Sequence, residues 1–224
     1  MKTAATIALG AIVFFGGIKL VRGKIYDAII VKLTTEWYRV VLDALPAKTT
    51  MLDVGIGTGK ALLNNRSLLV SKEISVDGVD YDKDYVVDCK ANVVQSKMNE
   101  QIQVFHASIY DYDTTTKYDA VYFSASLMIM PDPVQAIKHT LSFLRPNGHV
   151  FVTLTVQTKV SWFIKMFKPL LKFFTTIDFG SVTYESDLLL TFQRAGLKIL
   201  HERCLNGSTR TSTRSYRFYH LTRA

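Results

Sequence analysis

An apolar strand that runs into an acid and then into glycines at alternate positions leaves a chain few folds to choose from. Residues 51–59 read Met-Leu-Asp-Val-Gly-Ile-Gly-Thr-Gly, so Asp53 is followed by Gly55, Gly57 and Gly59, and a helical pattern takes over at residues 60–69. Strand, glycine turn and helix together describe a nucleotide-type binding site. The glycines allow backbone angles that a Cβ forbids, and they let a ligand approach the main chain closely. Such a site calls for a second acid about 20 residues on, at the tip of the next strand, to bond ribose hydroxyls. Asp80 stands there, closing the strand expected at residues 74–80. The spacing is G-x-G-x-G, which departs from the dinucleotide pattern G-x-G-x-x-G.

The remaining elements follow in a consistent order. A third strand at residues 102–106 leads into Ala107-Ser108-Ile109, and a fourth at 118–123 is almost continuously apolar, as a strand buried on both faces should be. That strand ends in Ser124-Ala125-Ser126. A helix at 134–144, the turn Arg145-Pro146-Asn147-Gly148 and a strand at 149–155 come next, then a helix from 184 to 196 and two antiparallel strands at 197–203 and 215–222. With 48% hydrophobic residues in 224, the chain supports one sizeable core and not two.

On these residues the chain resembles the class I S-adenosylmethionine (SAM)-dependent methyltransferases over roughly residues 50–224. The resemblance implies an α/β fold, a Rossmann-like seven-stranded mostly parallel sheet with helices on both faces, and SAM as cofactor. It implies Asp53, Gly55, Gly57 and Gly59 at the methionine end of the cofactor, Asp80 at the ribose, and Tyr81, Ser108 and Ile109 around the adenine. Ser108 stands where the family commonly has Asp, and a neutral hydroxyl bond is worth about half a charge-assisted one. Ser124 and Ser126 are expected to border the reacting methyl group. No residue type or spacing marks a catalytic base.

Other chemistries find little support. The two cysteines, Cys89 and Cys204, lie far apart without metal-ligand spacing, and the five histidines are scattered, so no metal is expected. His106 reads as an ordinary strand-end histidine. The net charge of +8, with Arg203, Arg210 and Arg214 near the C-terminus, would suit nucleic acid or anionic lipid. No RNA-binding module accompanies it, so nucleic acid is not expected as a partner.

The N-terminus points to a bilayer. Residues 3–18 carry no charge, and the run extends to Val21 if Lys19 snorkels. Nineteen helical residues span about 28 Å against a hydrocarbon core near 30 Å. Residues 1–23 are therefore expected to form a transmembrane anchor, and 24–224 the methyltransferase domain. Lys19, Arg22, Lys24 and Lys32 follow the run before much acid appears, which puts the domain on the cytosolic or matrix side, at the endoplasmic reticulum or the mitochondrial inner membrane. Residues 26–45 show helical periodicity that packs on the sheet, as a lid or as plain core. Residues 159–182 interleave Trp162, Phe163, Phe167, Phe173 and Phe174 with Lys165, Lys168 and Lys172, an amphipathic insertion suited to an interface. The expected activity is methyl transfer to a lipophilic small molecule or lipid. The alternatives are a non-catalytic subunit of a membrane protein complex and a protein methyltransferase.

Overall fold

The computed structural model describes residues 30–157 and 183–224. The expected anchor at 1–23 and the insertion at 159–182 lie outside the described residues. Among the described residues no helix is long and apolar enough to cross a membrane.

Seven strands form one sheet. They are β1 (Thr50–Val54), β2 (Ser75–Asp80), β3 (Ile102–His106), β4 (Tyr118–Ser124), β5 (Leu144–Gln157), β6 (Leu197–Leu205) and β7 (Arg214–Arg223), in the order β3-β2-β1-β4-β5-β7-β6. The first five pair in parallel, and β7 runs antiparallel to both β5 and β6. Strand order reverses between β1 and β4, which opens a crevice at their carboxyl ends where such sheets take ligands.

Helices cover both faces, as the sequence led us to expect. One face holds α1 (Lys32–Ala44), α2 (Lys60–Leu63), α3 (Arg66–Ser71) and α4 (Lys83–Gln95), which bury Trp37, Leu62, Leu69 and Cys89 against Met51, Tyr122 and Phe151. The other holds α5 (Pro133–Phe143) and α6 (Glu185–Arg194), with Ile137, Leu188 and Phe192 packed on Leu52, Val121, Val152 and Tyr219. Side chains set the ends of these helices. Asp82 caps α4 by accepting from the amides of Asp84 and Tyr85, and Asp132 caps α5 from Gln135, with Pro133 in the first turn. Helix α1 stops because Leu45 is extended before Pro46, and Lys72 Nζ donates at 2.8 Å to the carbonyls of Leu42, Asp43 and Leu45.

Three boundaries differ from the sequence reading. The helix expected at 60–69 is two helices, α2 and α3, broken at Asn64 and Asn65. Asn65 Nδ2 donates to the carbonyls of Ala61 at 2.9 Å and Thr35 at 3.0 Å, tying the break to α1. With its amide so occupied and its side chain buried, Asn65 is no accessible glycosylation site despite its sequon. The turn at 145–148 is a large bulge within β5, because Tyr118 pairs Leu144 while Ala120 pairs His149. Asp119, alone opposite the bulge, accepts from Arg145 and from the Thr50 amide. The helix expected at 26–45 is α-helical from Lys32, and residues 26–29 lie outside the description.

Candidate active site

The glycine turn joins β1 to α2 under the carboxyl end of the sheet. Gly55, Gly57 and Gly59 have φ of 80°, 60° and 70°, all in the left-handed region. Close approach adds to this at two of them: a Cβ on Gly55 would stand 2.5 Å from Ser126 Cβ, and one on Gly59 would stand 2.6 Å from Cys89 Sγ. The turn is fixed by the Gly55 amide on the Val79 carbonyl at 2.8 Å and by Asn92 Nδ2 of α4 on the Thr58 carbonyl at 2.9 Å. Gly55→Ala is expected to cost about 2 kcal/mol, from backbone strain and overpacking together. Pairing it with Ser126→Gly should return only the steric part, and thermal unfolding of the three variants would separate the two.

Asp80 lies at the tip of β2 as expected, 7% exposed. Its Oδ2 accepts from the Gly57 amide at 2.9 Å and its Oδ1 from the Asp82 amide at 2.9 Å. Each oxygen keeps a further lone pair for a hydroxyl donor. Burial lifts its carboxyl above the usual range, opposed by the amide bonds from Asp82 and Gly57. Asp53 is fully buried. Tyr38 of α1 donates to its Oδ2 at 2.7 Å, while its Oδ1 is buried and has no partner among the described residues. Burial pushes the Asp53 carboxyl up to about 7, with the Tyr38 bond opposing and the charge of Asp80 adding.

The other expected residues surround this pair. Tyr81 follows Asp80 with 69% of its surface exposed, and the His106 ring lies 3.1 Å from the Tyr81 carbonyl. Ile109 is buried, and Ser108 Oγ accepts from the Tyr110 amide at 3.3 Å. Ser124 is half-buried, with its side chain against the Tyr122 hydroxyl. The Ser126 hydroxyl donates to the Val54 carbonyl, so it braces the glycine turn. Ala125 between the two serines has φ 56°, which swings Ser126 over Gly55. Sequence reasoning missed Tyr38, Asn92 and Cys89, whose Sγ sets the space beside Gly59. Burial pushes the Cys89 thiol up to about 12, so it packs as an inert side chain. Cys204 is half-buried, and both cysteines are free. Among the described residues, no group of three or more His, Cys, Asp or Glu is placed to hold a metal ion.

An open groove of about 860 Å³ lies between the first turns of α1 and the β6–β7 connection. Lys32, Leu33, Glu36, Asn206 and Tyr216 line it, and Trp37 Nε1 anchors Asn206 Oδ1 at 2.7 Å.

Residues 51–148 match the model of a methyltransferase domain family. That part of the chain, a little under half of it, has the sequence pattern of a methyltransferase domain, and the sheet built around it has the fold of the class I, SAM-dependent enzymes. Solved structures with the same fold include the [4+2]-cyclase SpnF, at TM-score 0.68 and 16% identity, covering 84% of this chain and 81% of that one. Geranyl diphosphate C-methyltransferase from Streptomyces coelicolor A3(2), bound to S-adenosylhomocysteine, gives TM-score 0.67 at 11% identity over 86% and 81%. A SAM-dependent methyltransferase from Geobacter sulfurreducens, also with S-adenosylhomocysteine, gives 0.60 at 13% over 86% and 91%. SAM is the cofactor of this class, and the cradle fits it. Glycines open the main chain where a Cβ would clash, Asp80 retains acceptor capacity for hydroxyls, and Asp53 Oδ1 waits for a donor.

Proposed function

We propose that the protein is a membrane-anchored methyltransferase acting on a lipophilic small molecule or lipid, with its domain on the cytosolic or matrix side of the endoplasmic reticulum or mitochondrial inner membrane. The observation that carries the methyltransferase reading is the cradle formed by Asp53, Gly57 and Asp80, which holds an unpartnered buried carboxylate oxygen at the sheet's switch point. When bound, SAM supplies a methyl group activated by the sulfonium charge. The chain's own contribution is then to bind, align and keep water away, and alignment is worth roughly 7 to 11 kcal/mol of barrier. Asp53 and the glycine turn serve the amino-acid end, Asp80 the ribose, and Tyr81, Ser108 and Ile109 the adenine. Ser124 borders the acceptor side.

The lipid part of the reading draws on the uncharged run at residues 3–18 and on the aromatic, lysine-laced stretch at 159–182. Exposed Lys32, Arg210 and Arg214 at the carboxyl end of the sheet add positive charge that suits anionic headgroups. A neighbour on this fold is named for methylating geranyl diphosphate, so an isoprenoid-like acceptor is within the scaffold's reach. A second reading, a non-catalytic subunit of a membrane complex, is favoured by Ser108 in place of an acid.

The test is calorimetric titration of SAM into the full chain in detergent, with Asp80→Ala alongside, followed by incubation of membranes with methyl-labelled SAM. Saturable binding weakened at least about tenfold in the variant, with label in extracted lipid, supports the proposal. Label in the protein fraction supports a protein methyltransferase, and binding without label anywhere favours the subunit. No binding by the folded wild type would sink the enzyme reading.

A further inference from the structure

The Asp53 carboxylate is held from an unexpected direction. The strand and glycine turn that carry the methyltransferase motif contribute no hydrogen bond to it; among the described residues its one donor is Tyr38, fifteen residues upstream on α1. Four side chains act on this buried group from the elements around it: Tyr38 from α1, Tyr122 from β4, Asp80 from β2 and Cys89 from α4. None of them carries positive charge, and Lys90 of α4 acts on Cys89. A buried carboxylate oxygen without a donor is costly, so Oδ1 calls for a cationic or hydrogen-bonding ligand group.

We propose that Tyr38 is a positioning residue of the cofactor site. Its hydroxyl fixes one oxygen of Asp53 and leaves the other for the ammonium at the amino-acid end of SAM or its product. Docking of the first helix, in addition to the strand-and-glycine motif, is then part of forming the site. This rests on the reading above that the cradle takes SAM.

The tyrosine is built for the task. Its ring meets Tyr122 edge-on at 5.0 Å and 88°, and Tyr122 is itself held by a 2.7 Å bond between its hydroxyl and Thr153 Oγ1. Burial, and then the charge of Asp53, lift the Tyr38 phenol well above its ordinary range, so it remains a donor at neutral pH. The bond also works on the acid. Burial drives Asp53 toward the neutral form and the Tyr38 hydroxyl opposes it, leaving the carboxyl near 7. Removing the hydroxyl therefore moves Asp53 further up, and the carboxylate that an ammonium needs appears only at more alkaline pH.

The experiment is calorimetric titration of the full chain with S-adenosylhomocysteine on both sides of pH 7, for wild type, Tyr38→Phe and Asp53→Asn. The Phe variant keeps the ring and its edge contact, so the fold is preserved. Wild-type affinity should rise with pH through about 7. In Tyr38→Phe the rise should shift about one to two pH units upward, leaving affinity at pH 7 about tenfold weaker. In Asp53→Asn binding should be weak and flat. A parallel titration with 5′-methylthioadenosine, which lacks the amino-acid end, should be insensitive to pH and alike in all three proteins. A Tyr38→Phe profile that superimposes on wild type would overturn the proposal, as would equal losses for both ligands, which mark a merely structural role. If wild type binds methylthioadenosine and not S-adenosylhomocysteine, the ammonium assignment fails while the nucleoside site stands; if it binds neither, the cofactor reading fails and takes this inference with it.

Discussion

Replacing Asp53 with Asn is expected to stabilise the ligand-free protein by on the order of 4 kcal/mol near pH 8 and to leave it almost unchanged near pH 4. The wild-type carboxyl is lifted from an ordinary 3.8 to about 7, chiefly by burial. Below about pH 4 it is protonated in both folded and unfolded chains, and its contribution is constant. Between about 4 and 7 the unfolded chain releases the proton and the folded chain keeps it, so wild-type stability falls as pH rises. Above 7 the loss is complete, because a buried carboxylate must then be held with one partner. Asn has no charge to bury and can still accept from Tyr38. Urea unfolding at the two pH values reads the difference directly, and equal stabilities for both proteins near pH 8 would refute the account. Adding S-adenosylhomocysteine near pH 8 should restore more stability to wild type than to the variant, since only the carboxylate gains an ammonium partner. The site thus trades fold stability for affinity, as functional sites commonly do.

The parts of this site legible in the sequence are those that backbone physics demands. Gly55, Gly57 and Gly59 announced themselves because their φ values exclude most side chains, and Asp80 because it ends the next strand at a fixed distance. Strands β1 and β4 were legible because strands buried on both faces become apolar runs. What escaped notice depends on tertiary direction. Tyr38 lies in a helical stripe with Trp37, Val40 and Val41, and a stripe says nothing of where a phenol hydroxyl points. That the Ser126 hydroxyl reaches Val54 depends on the left-handed turn at Ala125. Asn65 looked like one more helical residue, but its amide found carbonyls on two elements and broke the helix. The bulge at 145–148 follows from pairing with Asp119, which no local propensity encodes.

Arg217→Met is expected to destabilise the fold by about 3 to 5 kcal/mol, although in sequence Arg217 only closes the basic stretch that begins at Arg203. In the structure it is 0% exposed, opposite Leu154 in the β5–β7 register. Its Nε donates to Ser215 Oγ at 2.8 Å, Nη1 donates to Glu202, and Nη2 stands 3.5 Å from Glu185 Oε1 on α6. Glu202 in turn takes Arg210 at 2.8 Å, so the cluster ties β6, β7, the connection between them and the start of α6. Removing the guanidinium leaves Glu202, only 13% exposed at its side chain, with surface-exposed Arg210 as its remaining cation. That stranded charge accounts for most of the cost, because a methionine fills much of the volume and packs well. The double variant Arg217→Met with Glu202→Leu should therefore recover most of the loss, since apolar replacement of a whole buried pair is often neutral. Urea midpoints at unchanged m-value would give both numbers. A single variant costing under about 1 kcal/mol, or a double variant no better than the single, would show that Arg217 acts by packing and that its charge is incidental.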